Sequence, residues 1–173
     1  MNLQRVHEIL DGRASGPRAR LIRSSLACIE PWYGFAVAWR NRRYDRGIGV
    51  GFANCPVVSI GNITTGGTGK TPMVAWLCSA LRHNGYRPAV LSRGYRGKGD
   101  TSDEIALLRL LLGPEVPIVK NPDRLRGASV VARDHPATDV LVLDDGFQHR
   151  RIHRDVDIVL IDASWPFGFE RKL

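Results

Sequence analysis

The residues best equipped for chemistry lie in Thr64-Thr65-Gly66-Gly67-Thr68-Gly69-Lys70-Thr71. Glycines let main-chain N–H groups turn inward and come close to phosphate oxygens. Lys70 then reaches the terminal phosphates of a nucleoside triphosphate such as ATP, and the Thr71 hydroxyl is a ligand for Mg2+. The usual pattern begins with glycine, and Thr64 stands at that position; the remainder, Gly69-Lys70-Thr71, is intact. A second set of oxygens closes Asp139-Val-Leu-Val-Leu-Asp-Asp-Gly146, an apolar run ending in two carboxylates. Phosphate-loop enzymes hold Mg2+ partly through an aspartate at such a strand end, so Asp144 and Asp145 are candidate metal-site groups. A plain Asp-Asp-Gly turn is the alternative. His149 has two readings, a contact to nucleotide or substrate and an ordinary surface histidine.

Such groups need a rigid frame, and the flanking sequence supplies one. PVVSIG (56–61) reads as a strand leading into the loop, and PMVAWLCSALRHNG (72–85) as the helix leaving it. Pro72 suits a first turn and Gly85 an end. The helix points the positive end of its dipole at the loop, where phosphate would lie. Further strands are expected at 88–92, 116–119, 139–145 and 156–162, with helices at 103–113 and 123–135. Runs that are apolar throughout, rather than alternating, are buried on both faces. With helices between them they predict a three-layer α/β sandwich around a mostly parallel sheet, of the phosphate-loop NTPase type, behind a helical N-terminal arm.

That arm is expected over residues 1–50 and the nucleotide-binding domain over 51–173. The chain has 173 residues and a net charge of +8. Nine arginines against four acids place most of that excess in the first 50 residues. A basic arm points to an acidic partner or to a merely solvated surface. Residues 1–24 look helical, with Gly12, Gly16 and Pro17 breaking any long helix. PWYGFAVAWRNRRY (31–44) sets Trp32, Tyr33, Phe35, Trp39 and Tyr44 beside Arg40, Arg42 and Arg43. Aromatics next to arginines suit a membrane interface. A helix packing its aromatic side on the domain core is the competing reading. The most apolar stretch, Leu26–Trp39, is shorter than a span requires and contains Glu30 and Pro31, so a crossing helix is not expected. Arginines and acids interrupt every apolar run before residue 24, so a secretory signal is not expected there. Cys28, Cys55 and Cys78 form no C-x-x-C pair, and buried free thiols are expected.

Taken in order, the motifs resemble the tetraacyldisaccharide 4′-kinase family. They are PWYGFAVAW, VVSIGNITTGGTGKTP with its Thr-initiated loop, LSRGYRGK (91–98), SDEIALL (102–108), VLDDGFQHRRIHRDVDIVLID (142–162) and PFG (166–168). Thr64 is thereby a family marker rather than a flaw. The resemblance implies transfer of the γ-phosphate of ATP to the 4′-hydroxyl of a lipid-linked glucosamine disaccharide 1-phosphate in lipid A biosynthesis. It also implies a peripheral or monotopic place at the cytoplasmic face of the inner membrane. It gives Asp103 the part of catalytic base, beside Glu104 as a metal-shell or orienting group, and keeps Lys70, Thr71, Asp144 and Asp145 in the roles already argued. Arg93 and Arg96 are read either as contacts to the acidic substrate or as surface or capping arginines. By its neighbours alone, Asp103 is a residue at a helix N-terminus, where the dipole favours an ionised carboxylate.

Members of the family continue past PFG into a second α/β domain that supplies a histidine orienting the catalytic aspartate, and no counterpart is found here. ATP-site formation is therefore expected on firmer ground than turnover, and a truncated kinase is carried beside a nucleotide-binding module that transfers nothing. A nucleic-acid-dependent ATPase rests on the charge alone, so no nucleic-acid partner is expected.

Overall fold

A computed structural model describes residues 16–63, 69–93, 103–147 and 149–163. Its contacts divide the chain into two compact units, Met1–Gly49 and Val50–Leu173.

The first unit holds α1 (Pro17–Asp45), 29 residues or about 44 Å of helix. The break expected at Gly16 and Pro17 is its start, since proline's fixed φ and missing N–H suit a first turn. Pro31 lies inside the same helix, so residues 17–45 form one element rather than separate segments. Arg42 and Arg43 occupy its last turn, where positive charge complements the dipole. Trp32, Phe35 and Trp39 recur at helical spacing and are exposed. The Arg43 guanidinium lies 5.2 Å from the Trp39 ring centre. No described helix is long and apolar enough to cross a membrane.

The second unit is a five-stranded parallel sheet. In chain order its elements are β1 (Val57–Asn62), α2 (Lys70–His83), β2 (Pro88–Ser92), α3 (Asp103–Leu112), β3 (Ile118–Lys120), α4 (Arg124–Asp134), β4 (Val140–Asp144) and β5 (Val156–Leu160). Across the sheet they run β3-β2-β4-β1-β5. The last strand to enter the interior, β4, thus sits between β1 and β2, with Ile60 level with Asp144.

Strand side chains alternate between two apolar faces. Ile60, Val90, Val140 and Val142 face a cluster shared with Val74 and Cys78 of α2 and Leu108 and Leu112 of α3. Val57, Ala89, Leu91, Leu141 and Leu143 face Ala128 and Val131 of α4. Two buried faces explain why β2 and β4 are apolar up to their last residues, Ser92 and Asp144, and buried along their whole length. The edge strands depart from that expectation: β3 and β5 are only partly covered because each has a neighbour on one side. Cys78 is buried as expected, and burial pushes its thiol up to about 12. The other two thiols differ from expectation. Cys55 is half-buried and Cys28, on α1, is exposed.

Candidate functional site

Parallel strands deliver all their carboxyl ends to one edge of the sheet, and crevices form there. At that edge β1 ends in Asn62, β2 in Ser92 and β4 in Asp144.

Lys70 opens α2 directly after Gly69, whose φ of 76° lies in the left-handed region that glycine enters without strain. Gly69 has no side chain with which to cap this helix start. Its free N–H groups and dipole therefore favour an anion. The Lys70 ammonium donates to Asn62 Oδ1 at 2.9 Å and lies 3.4 Å from Asp145 Oδ1. Thr71, one residue on, is half-buried in the first turn. The adjacency of β1 and β4 makes this meeting possible: neighbouring strands bring their following residues within side-chain reach.

Asp144 is 5% exposed. Its carboxylate accepts a hydrogen bond from the Ser92 hydroxyl at 3.3 Å. Burial lifts its carboxyl above the ordinary range, and the Glu104 and Asp145 charges add to the lift; the Ser92 bond and the Arg124 charge oppose it. Glu104 thus acts on Asp144 from the first turn of α3. Asp145 has a φ of 55°, the one described non-glycine residue in the left-handed region. That turn directs its carboxylate to Lys70.

Lys70 meets Asp145, with Asp144 one residue before it and Thr71 beside Lys70, and Glu104 acts on Asp144 through its charge. The backbone of Asp103 begins α3 at the same edge, but its side chain lies outside the described residues. So do Thr64, Thr65, Gly66, Gly67 and Thr68, together with Arg96 and the PFG motif. His149 sits half-buried, with Nε2 buried and unpartnered. Burial, then the charges of Arg124, Arg151 and Arg93, hold its pKa below the ordinary value, against the pull of Asp123. Arg93 follows β2 at this edge and is exposed.

Four residues with a hand in the site were given no role of their own by the sequence reading, although three of them lie inside the quoted motifs. Asn62 holds the lysine, Ser92 holds the Asp144 carboxylate, Arg124 donates to the Asp144 carbonyl at 2.8 Å, and Arg154 donates to the Phe147 carbonyl at 2.8 Å. The signal that could have found Asn62 and Ser92 is a polar residue ending an apolar strand. Arg124 offered a subtler sign, a cation in the first turn of a helix against its dipole.

Among the described residues no group of three or more His, Cys, Asp or Glu side chains is gathered closely enough to hold a metal ion alone.

Comparison with known proteins places these features in a family. The profile described as Tetraacyldisaccharide-1-P 4′-kinase matches residues 22–173. A Tetraacyldisaccharide 4′-kinase of Syntrophus aciditrophicus is 44% identical over 159 residues, which are 79% of this chain and 41% of that protein. One from Geobacter sulfurreducens is 41% identical over 184 residues, covering 96% of this chain and 52% of that protein. The crystal structure of the "apo" form of LpxK from Aquifex aeolicus in complex with ATP superposes with a TM-score of 0.67 at 34% identity, over 83% of this chain and 50% of that one. The chain thus spans about half the length of the curated relatives it matches.

Proposed function

The chain belongs to the tetraacyldisaccharide-1-P 4′-kinase family, and on that premise we propose that it forms the ATP-holding part of a lipid A 4′-kinase. The reaction is transfer of the γ-phosphate to the 4′-hydroxyl of tetraacyldisaccharide 1-phosphate. One observation carries this reading. Lys70, at the junction of loop and helix, meets Asp145 at the end of the adjacent strand.

In this proposal the loop from Thr64 to Gly69 surrounds the phosphates with N–H groups, and Lys70 neutralises the terminal ones. The carboxylates of Asp144 and Asp145, the Thr71 hydroxyl and Glu104 form an all-oxygen donor set suited to Mg2+. Mg2+ keeps waters and shares its shell with substrate phosphates, so these residues need not form an all-protein cage. The raised Asp144 carboxyl marks crowded, poorly solvated negative charge that a divalent cation would relieve. When bound, Mg2+ supplies charge neutralisation of the β- and γ-phosphate oxygens.

Asp103, at the start of α3, is the proposed base. The helix dipole favours its ionised form. The hydroxyl proton of the sugar passes to its carboxylate, the sugar oxygen bonds to the γ-phosphorus, and the bond to the β–γ bridging oxygen breaks, releasing ADP. Positioning and charge, not covalent chemistry by the protein, lower such barriers.

The acceptor is a lipid, and α1 supplies a means of reaching it. Its Trp32, Phe35 and Trp39 stripe beside Arg40, Arg42 and Arg43 is proposed to lie at the headgroup level of the cytoplasmic face of the inner membrane.

The test is transfer of radiolabelled phosphate from ATP to tetraacyldisaccharide 1-phosphate in detergent micelles. Asp103→Ala should abolish transfer while ATP binding persists. ATP binding by the unsubstituted chain with no transfer would favour the binding-module reading.

A further inference from the structure

Three consecutive peptide planes run through the acidic turn, and each is pinned from a different side. The plane between Asp144 and Asp145 is held at its carbonyl by Arg124 Nη2 at 2.8 Å. The plane between Asp145 and Gly146 is held at its N–H, which donates to the Ile60 carbonyl at 3.0 Å. The plane between Gly146 and Phe147 is held at its carbonyl by Arg154 Nη1 at 3.4 Å, and the same nitrogen donates to the Phe147 carbonyl at 2.8 Å.

The two arginines reach the turn from opposite flanks. Arg124 comes from α4, where its Nη1 also donates to the Asn121 carbonyl at 2.9 Å. Arg154 comes from the segment entering β5, where it pairs with Asp157 at 3.3 Å. Arg124 is 1% exposed, and burial pushes its guanidinium down to about 10. A buried cation at a helix start is costly on both counts, desolvation and dipole. Packing does not call for it, because an apolar side chain fills such a space without either penalty.

Where the guanidinium groups are directed explains their presence. Arg124 lies next to two carboxylates, yet its hydrogen bonds go to main-chain carbonyls. Arg154 likewise bonds the carbonyls of the turn and spends its ion pair on Asp157, outside it. The turn is gripped by its backbone, and the carboxylates of Asp144 and Asp145 are left to face Ser92 and Lys70. Asp145 meanwhile sits at a φ of 55°, a conformation that persists when its surroundings over-determine it.

Resting on the ATP-binding reading above, we propose that Arg124 and Arg154 act as a single backbone clamp that positions Asp145 opposite Lys70 and so sets the metal-dependent grip on the terminal phosphates. They are positioning residues and touch no phosphate themselves. The clamp predicts that its loss lowers affinity for Mg2+-bound ATP more than for ATP without metal, because Lys70 and the loop amides remain in either case.

Calorimetric titration of the intact chain with ATP, in Mg2+ and again in chelator, tests this. Arg154→Met should weaken Mg2+-dependent binding about tenfold or more, as losses behind a metal ligand do, and metal-free binding less than about twofold. Arg154→Lys, which keeps one donor, should recover most of the difference. Arg124→Lys should show the same selective loss. The double variant Arg124→Lys/Arg154→Met should be little worse than the poorer single one, since both act on one turn. If the arginines are ordinary fold contacts, melting temperature will fall while the ratio of the two affinities stays at the parent value, and the clamp is overturned. Arg154, on the sheet edge, keeps the test open should Arg124 variants fail to fold. Failure of the unsubstituted chain to bind ATP would instead overturn the nucleotide-binding reading itself.

Discussion

The ammonium of Lys70 stands 3.4 Å from the carboxylate of Asp145, residues 75 positions apart joined only by the adjacency of β1 and β4. Asn62 accepts from the same ammonium at 2.9 Å, so the lysine is held from the loop side and the acid side together. Both partners of the ion pair retain access to solvent, at 22% and 45% exposure. A pair this open adds little to the fold, and its orientation is the more telling feature.

Lys70→Met should therefore leave the melting temperature nearly unchanged and weaken ATP binding about ten- to a hundredfold, the range of a lost charged hydrogen bond of ~1.5–3 kcal/mol. Titration calorimetry beside a melting curve separates the two. A variant that melts early and binds normally would place the lysine in the fold instead.

Gly61 lies on β1 beneath the acidic turn. A methyl group there would meet Phe147 Cβ at 2.4 Å and its amide nitrogen at 3.0 Å. Backbone cannot swing aside as a side-chain tip does, so Gly61→Ala should destabilise by roughly 1–3 kcal/mol. Because Phe147 belongs to the turn, Mg2+-dependent ATP affinity should fall as well. Chemical denaturation and calorimetry on the same preparation check both effects.

His149 gives the fold a pH dependence with a defined sign. Burial first, and the Arg124 charge next, hold its folded pKa below the ordinary 6.5. The unfolded chain therefore binds more protons between that lowered value and 6.5, and stability rises with pH across this window. Its contribution is complete above 6.5 and lost as pH falls through the window. His149→Gln should flatten the melting temperature against pH in this range, and an unchanged slope would assign the dependence elsewhere.

The aromatic stripe of α1 predicts vesicle binding. Trp32→Ala/Trp39→Ala should lower partitioning onto vesicles rich in anionic lipid, measured by co-sedimentation, because each indole contributes apolar area and a polar edge suited to the interface. Added salt should weaken what remains, through screening of Arg40, Arg42 and Arg43. Equal partitioning of parent and variant would show that the helix does not meet the lipid through this face.

Much of the site was readable in the chain. The phosphate loop between strand and helix placed Lys70 and Thr71, and the apolar run ending in two aspartates placed Asp144 and Asp145. What escaped was the support. Asn62, Ser92, Arg124 and Arg154 carry no spacing rule: Ser92 and Arg124 reach partners 52 and 20 positions away, and Asn62 and Arg154 reach partners eight and seven positions away across turns that no helix or strand period describes. The arm was half legible: Gly16 and Pro17 marked a boundary, yet Pro31 did not become one.

The sequence by itself determined the local elements, since hydrophobic period, helix starts and turn residues act within a few positions. It also determined which groups are candidates for the proposed chemistry, since glycine, lysine, threonine and aspartate were placed by type. Strand order was decided only in three dimensions. Insertion of β4 between β1 and β2 is what sets Asp145 against Lys70 and brings Ser92 to Asp144. Burial was decided there too, and with it the raised Asp144 carboxyl and the lowered His149. A titration shift and a backbone grip both depend on what surrounds a group in space, and that neighbourhood exists only once the sheet has closed.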